Sequence, residues 1–226
     1  MSVTDNINAI RKALPAGVEL CAVSKFHPVE KLQEAYDCGQ RIFGESREQE
    51  VRQKYEILPK DIEWHFIGHL QTNKVKYIAP FISMIESVDS ERLLDEIQKQ
   101  ASKNGRTIDV LLEIHVAQEE TKSGWLPSEV TDLMHNARLA ERWPDVRMRG
   151  VMGMASITDD ETQIAREFQS LKEVYDHLLV LLAPHGITAD TFNIRSWGMS
   201  HDWHVAVDNG SNQVRIGTDI FGEREY

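Results

Sequence analysis

VELCAVSKFHPVEKLQEAYDCGQRIFG, residues 18–44, holds the repeating unit of the fold. Its first seven residues form an apolar run. Pro28 then opens a segment of helical period that reaches Cys38, and a second apolar run follows at 41–44. Proline suits the first turn of a helix, where its missing N–H costs no hydrogen bond, so the stretch reads as strand, helix, strand.

The same alternation continues outward along the chain. Short runs rich in β-branched residues predict strands at 18–24, 41–44, 63–68, 82–87, 109–116, 148–154, 191–198 and 214–218. Between them, helices are predicted over 28–38, 45–57, 72–79, 89–104, 127–142 and 159–183, with a shorter one near 202–209 and one more at about 4–14 ahead of the first strand. Most open with Asp, Ser, Thr or Pro followed by acidic residues, which satisfy the unpaired N–H groups and complement the helix dipole.

Strands this apolar cannot leave one face in water, so they belong to a parallel sheet covered by helices. Eight strand–helix units fit an α/β fold closed as a (β/α)8 TIM-type barrel with an additional N-terminal helix, and an open doubly wound sheet is the alternative. No repeat, low-complexity tract or linker divides residues 1–226, which predicts a single domain.

Charge narrows the function. With 25 basic and 36 acidic side chains the net charge is −11, and the Lys/Arg excess needed to neutralise nucleic acid or an anionic membrane is missing. A small anion held by a local site remains compatible. Two cysteines are too few for a disulfide framework and suggest a reducing compartment. No apolar stretch is long enough to span a bilayer, and the N-terminus does not resemble a signal peptide, so the expected location is cytoplasmic.

In such a barrel, chemistry gathers where strands end. Those ends supply Ser24 and Lys25; Glu45, Ser46 and Arg47; His65, Gly68, His69 and Asn73; Glu86 and Ser87; His115; Met152 and Met154; Ser196 and the stretch 198–200; and Arg215, Gly217 and Thr218. Lys25 has two readings. Apolar surroundings would favour its neutral, nucleophilic amine, as in a Schiff-base lysine; alternatively its stem lies along the core while the ammonium reaches water. SWGMSHDW and GSNQVRIGTDIFGER place glycines and hydroxyls after strands seven and eight. That is the usual phosphate site of barrels, although Gly198, Gly210 and Gly217 also suit plain tight turns. Arg215 either enters the barrel mouth with a partner or points outward among the helices.

AVSKFHP, RIFGESREQE, IEWHFIGHLQTNK, KSGW, RGVMGMAS, SWGMSHDW and GSNQVRIGTDIFGER together resemble the pyridoxal phosphate homeostasis protein family, which shares the barrel of the alanine racemase N-terminal domain. The resemblance covers nearly the whole chain. It implies that Lys25 forms a Schiff base with pyridoxal 5′-phosphate, that Ser200, Gly217 and Thr218, with the backbone at Met199, hold the phosphate, and that Met152 lies near the ring face. Arg215 is expected to face the pyridine nitrogen. A guanidinium cannot take up a proton, so it would keep that nitrogen unprotonated and weaken the ring as an electron sink.

Ser46 departs from the asparagine common in the family, which puts one hydrogen bond to the cofactor in doubt. Trp197 and Trp203 also depart from the family's usual form. His65 and His69, with Gln71 and Asn73, do not build a metal site by spacing: no carboxylate or thiol is apparent to complete one, so a structural histidine is expected. Asp202 is expected to cap a helix.

The resemblance implies a non-catalytic carrier of pyridoxal 5′-phosphate acting in its intracellular homeostasis, with cofactor-dependent apoenzymes as recipients. The alternative is a fold-type III enzyme such as an amino-acid racemase. Racemase relatives draw a second base, a tyrosine, from a separate β domain. This chain ends at Tyr226, eight residues after Thr218, so that domain is expected to be absent. A sugar-phosphate enzyme with a Schiff-base lysine is a third, fold-level alternative. A monomer is expected, since the missing domain would remove the interface that pairs the racemases.

Overall fold

The structure, a computed structural model, describes residues 2–117, 123–136 and 138–223. Lys122 of the KSGW segment and Tyr226 therefore lie outside the described residues. Among those described, eight parallel strands close into a barrel in sequence order, β8 pairing with β1. The closed barrel is the architecture expected from the sequence, and the open sheet is excluded.

The strands are β1 (Glu19–Val23), β2 (Ile42–Glu45), β3 (Glu63–Phe66), β4 (Met84–Val88), β5 (Ile108–Ile114), β6 (Val146–Gly153), β7 (Ile194–Met199) and β8 (Gln213–Ile216). Helix α1 (Val3–Ala13) precedes them, held by a capping box between Ser2 and Asp5. Helices α2 (Val29–Asp37), α3 (Glu48–Ile57), α4 (Thr72–Ile78) and α5 (Glu91–Lys103) follow β1 to β4 in turn. The single helix expected over 127–142 is instead two, α6 (Pro127–Asn136) and α7 (Leu139–Arg142). Arg138, with φ −85° and ψ 74°, is not helical, so the turn-to-turn hydrogen bonds cannot run through it. Next come α8 (Glu161–Leu182), capped by Asp160, α9 (Trp203–Asp208) and a final turn, α10 (Thr218–Phe221).

Two packed regions result. The larger lies between sheet and helices and includes Trp64, Trp197, Phe43 and Phe168, all fully buried. The smaller fills the barrel axis with Met84, Leu111 and Met152, against which Met154 and Ile194 pack. Among the described residues no helix is long and apolar enough to cross a membrane.

Candidate functional site

The expected site residues fall on one continuous arc of the barrel. Met152 is in β6, Met199 ends β7, Arg215 is in β8, Lys25 follows β1 and Ser46 follows β2. These five strands are consecutive neighbours in the closed sheet. Ser200, Gly217 and Thr218 lie immediately beyond β7 and β8. Closure of the sheet thus brings together residues almost two hundred positions apart.

Lys25 is half-buried, in a turn where the Ser24 N–H donates to the Gly44 carbonyl (3.0 Å) and the His27 N–H to the Ser24 carbonyl (3.1 Å). One strand away around the barrel, the Gly217 N–H donates to Ser200 Oγ at 3.4 Å. Gly198 makes the approach of β7 and α9 feasible. Its φ is +97°, and a Cβ there would come within 2.6 Å of the Ala206 methyl and 3.1 Å of Trp203 Cα. At Met199, whose backbone is expected to help hold the phosphate, the N–H donates to Asp202 Oδ1 at 2.6 Å. Asp202 occupies the N-cap position of α9, but its side chain makes no cap bond within the helix. It turns back and ties the β7 end to α9. Thr218 is exposed at the start of α10.

Arg215 enters the barrel, buried to 4% exposure. Its Nη1 donates to the Ser196 carbonyl (2.6 Å) and hydroxyl (2.7 Å), and its Nη2 to the Gly153 carbonyl (2.9 Å). Glu86 Oε2 lies 3.9 Å from Nη1 and accepts from Ser196 Oγ at 2.6 Å. Glu86 Oε1 meets His65 Nδ1 at 2.7 Å and accepts from Gln213 Nε2 at 2.8 Å. Burial raises the Glu86 carboxyl, but the His65 hydrogen bond and charge, Arg215 and Ser196 outweigh it and hold the group below its ordinary value. A charged guanidinium is thereby fixed beneath the mouth with its partners in place.

His65 has the structural setting expected of it, yet the reason given from spacing alone does not hold. The fold brings both a thiol and a carboxylate to it: ligand atoms of Cys21, His65 and Glu86 lie within 4.8 Å of one another, all buried. Both Glu86 oxygens are already engaged, Arg215 supplies positive charge beside them, and burial pushes the Cys21 thiol well up. That arrangement suits a neutral thiol against a saturated ion network better than a metal.

Two further acids line the strand ends. Glu45, fully buried, accepts from Ser24 Oγ (2.6 Å) and from Lys54 Nζ (2.7 Å) on Oε1, while Oε2 has no partner. Burial pushes it up to about 7, against the pull of Lys54. Glu113 in β5 is also raised to about 7 by burial; Ser123 Oγ donates to its Oε1 at 3.1 Å, and its Oε2 is without a partner. Neither Glu113 nor Lys54 was found by sequence reasoning. A lone acid inside LLEI was a usable signal for the first, of the kind that drew attention to Arg215. Lys54 offered none, being one of several charged residues in α3. Ser46 is half-buried beneath Gly68, where a Cβ would fall 2.7 Å from the Ser46 Cβ. Whatever reach the serine lacks, a bulkier β3 loop could not supply.

The donor set suits the cofactor that the resemblance implies. A half-buried primary amine, a hydroxyl beside a backbone N–H, a second exposed hydroxyl and an immobilised cation fit an aldehyde, a phosphate and a ring nitrogen respectively.

A family model, alanine racemase N-terminal domain, matches residues 2–225. A pyridoxal phosphate homeostasis protein of Aquifex aeolicus is 41% identical over 212 residues, 92% of this chain and 88% of that protein. The structure of PipY from Synechococcus elongatus with PLP bound superposes with a TM-score of 0.86 at 30% identity, covering 98% of this chain and all of that one. The alanine racemase of Streptomyces coelicolor shares the fold, with a TM-score of 0.79 at 19% identity, covering 97% of this chain and 57% of the racemase.

Proposed function

The chain belongs to the pyridoxal phosphate homeostasis protein family, and on that premise we propose that it binds pyridoxal 5′-phosphate at the C-terminal mouth of its barrel and holds it in reserve without turning over a substrate. The bound cofactor supplies an aldehyde that condenses reversibly with a primary amine. Lys25 provides that amine from the end of β1. Ser200, Gly217 and Thr218 hold the phosphate with hydroxyl and N–H donors; Met199 contributes through the backbone that Asp202 fixes. Met152 gives an apolar wall, and Ser46 a single hydroxyl.

Arg215 sets the character of the site. Held by Ser196, Gly153 and Glu86, it offers a ring nitrogen donors and gives up no proton, so the ring is not primed for carbanion chemistry. The observation that carries this reading is the adjacency of β7, β8 and β1, which sets the Ser200–Gly217 pair, the fixed guanidinium and Lys25 side by side. The protein acts as a cytoplasmic monomer that releases cofactor to apoenzymes.

Adding pyridoxal 5′-phosphate to the protein should produce a visible absorbance band, and borohydride should then mark Lys25 by mass. Lys25→Ala should abolish both. A band that survives in Lys25→Ala, or none in the wild type, overturns the reading. Inversion of L-alanine or L-serine by the wild type, lost in the lysine variant, would establish a racemase instead.

A further inference from the structure

Lys54 is a lysine with 4% exposure whose ammonium donates three hydrogen bonds inside the protein. They run to the Ser24 carbonyl (2.8 Å), to Glu45 Oε1 (2.7 Å) and to Glu50 Oε1 (2.6 Å), which uses every donor the group has. The same two carboxylates reach back to the β1 turn. Glu45 Oε1 accepts from the Ser24 hydroxyl at 2.6 Å, and Glu50 Oε1 from the Phe26 N–H at 2.6 Å. The residues on both sides of Lys25 are thus gripped by one buried cluster. We propose that Lys54, Glu45 and Glu50 are positioning residues for Lys25, fixing the direction in which its amine leaves β1.

Phe26 supports this independently. Among the described residues it is the sole non-glycine with a positive φ, +67°. A side chain in the left-handed region persists only where its surroundings over-determine it. Here the Glu50 bond to its N–H does so, together with the Arg47 guanidinium 4.5 Å over its ring. Stability alone gives little reason for the cluster, because a buried ion network is commonly no better than a packed apolar one. Its geometry is explained by the turn it holds.

The proposal rests on the carrier reading, so the experiment separates the two. In the condensation, a C=N bond replaces the aldehyde C=O, both protons of the neutral Lys25 amine leave with the oxygen as water, and nothing is oxidised or reduced. Three quantities are measured: the rate at which pyridoxal 5′-phosphate is captured on Lys25, the affinity for pyridoxine 5′-phosphate, which carries an alcohol and cannot condense, and amide exchange at Phe26 in cofactor-free protein. Lys54→Met should slow capture at least about tenfold, the scale of a small misplacement of a reacting group, and speed Phe26 exchange, with pyridoxine 5′-phosphate affinity within about twofold. Glu50→Gln, a gentler change, should slow capture about threefold with the same split. Capture at the wild-type rate in both variants overturns the proposal. So does a parallel fall of capture and pyridoxine 5′-phosphate affinity in both, which would mean a role in the fold alone. Failure of capture in the wild type sinks the carrier reading and the proposal with it, and is told apart because it needs no variant.

Discussion

Glu86 and Glu45 are both fully buried carboxylates on barrel strands, two strands apart, and they differ in ionisation. Glu86 has both oxygens engaged, by His65, Gln213 and Ser196, with Arg215 at 3.9 Å, and is held below its ordinary value. Glu45 uses one oxygen only, has Glu50 as a like-charged neighbour, and is pushed up to about 7 by burial. Burial is equal, so it cannot explain the difference. The donors and the sign of the neighbouring charges together decide which way a buried carboxylate shifts. The barrel centre therefore carries a settled ion network, and the rim beneath Lys25 carries an acid near its titration point.

Glu86→Ala should break the comparison most sharply. It leaves Arg215 buried without its counter-charge and frees donors on three other strands, so unfolding by denaturant should show a loss of about 3–5 kcal/mol. A loss under about 1 kcal/mol would mean that the network does not hold the centre. Glu45→Gln should cost less, about 1–2 kcal/mol near pH 7, since Lys54 keeps Glu50.

The pH dependence supplies the sign. Between its unfolded value of 4.5 and about 7, native Glu45 binds more protons than the unfolded chain, so its contribution is complete below 4.5 and is lost as pH rises through 7. The cost of Glu45→Gln should therefore be larger at pH 5.5 than at pH 8, by on the order of 1 kcal/mol. Glu86, held low, should behave oppositely: its contribution is present above its unfolded value and fades as pH falls through the native one. A Glu45→Gln cost independent of pH would show that the orphan oxygen is satisfied after all. The smallest effect is expected at Glu113. Ser123→Ala removes the donor on its Oε1 and should raise the acid further above 7, followed by carbon NMR titration of its carboxyl, at about 1 kcal/mol or less in stability.

How much of this was legible in the sequence differs between backbone and side chains. Every expected strand appears within a few residues, because a parallel strand buried on both faces must be apolar throughout. The break at Arg138 was not legible, since it does not interrupt the apolar pattern. At the site, Lys25 and the glycine turns stood out as chemistry at strand ends. His65 did not reveal its partners, because Glu86 reaches it from the neighbouring strand β4 and Cys21 from β1, both far from it in the chain. Lys54 was invisible: a lysine in a charged helix looks solvated until β1 and β2 close over it.

The sequence by itself determined the alternating strands and helices, the strand ends that carry the chemistry and, through its motifs, the family. These follow from local periodicity and from residue types at turns, both written in adjacent positions. Only the tertiary structure decided which carboxylate is held low and which is pushed up, that Arg215 is fixed from the inside, that the Met199 N–H donates to Asp202, and that a buried lysine grips the turn of Lys25. Most of those outcomes depend on donors brought together from separate strands and helices into a buried region, and no linear spacing encodes their number.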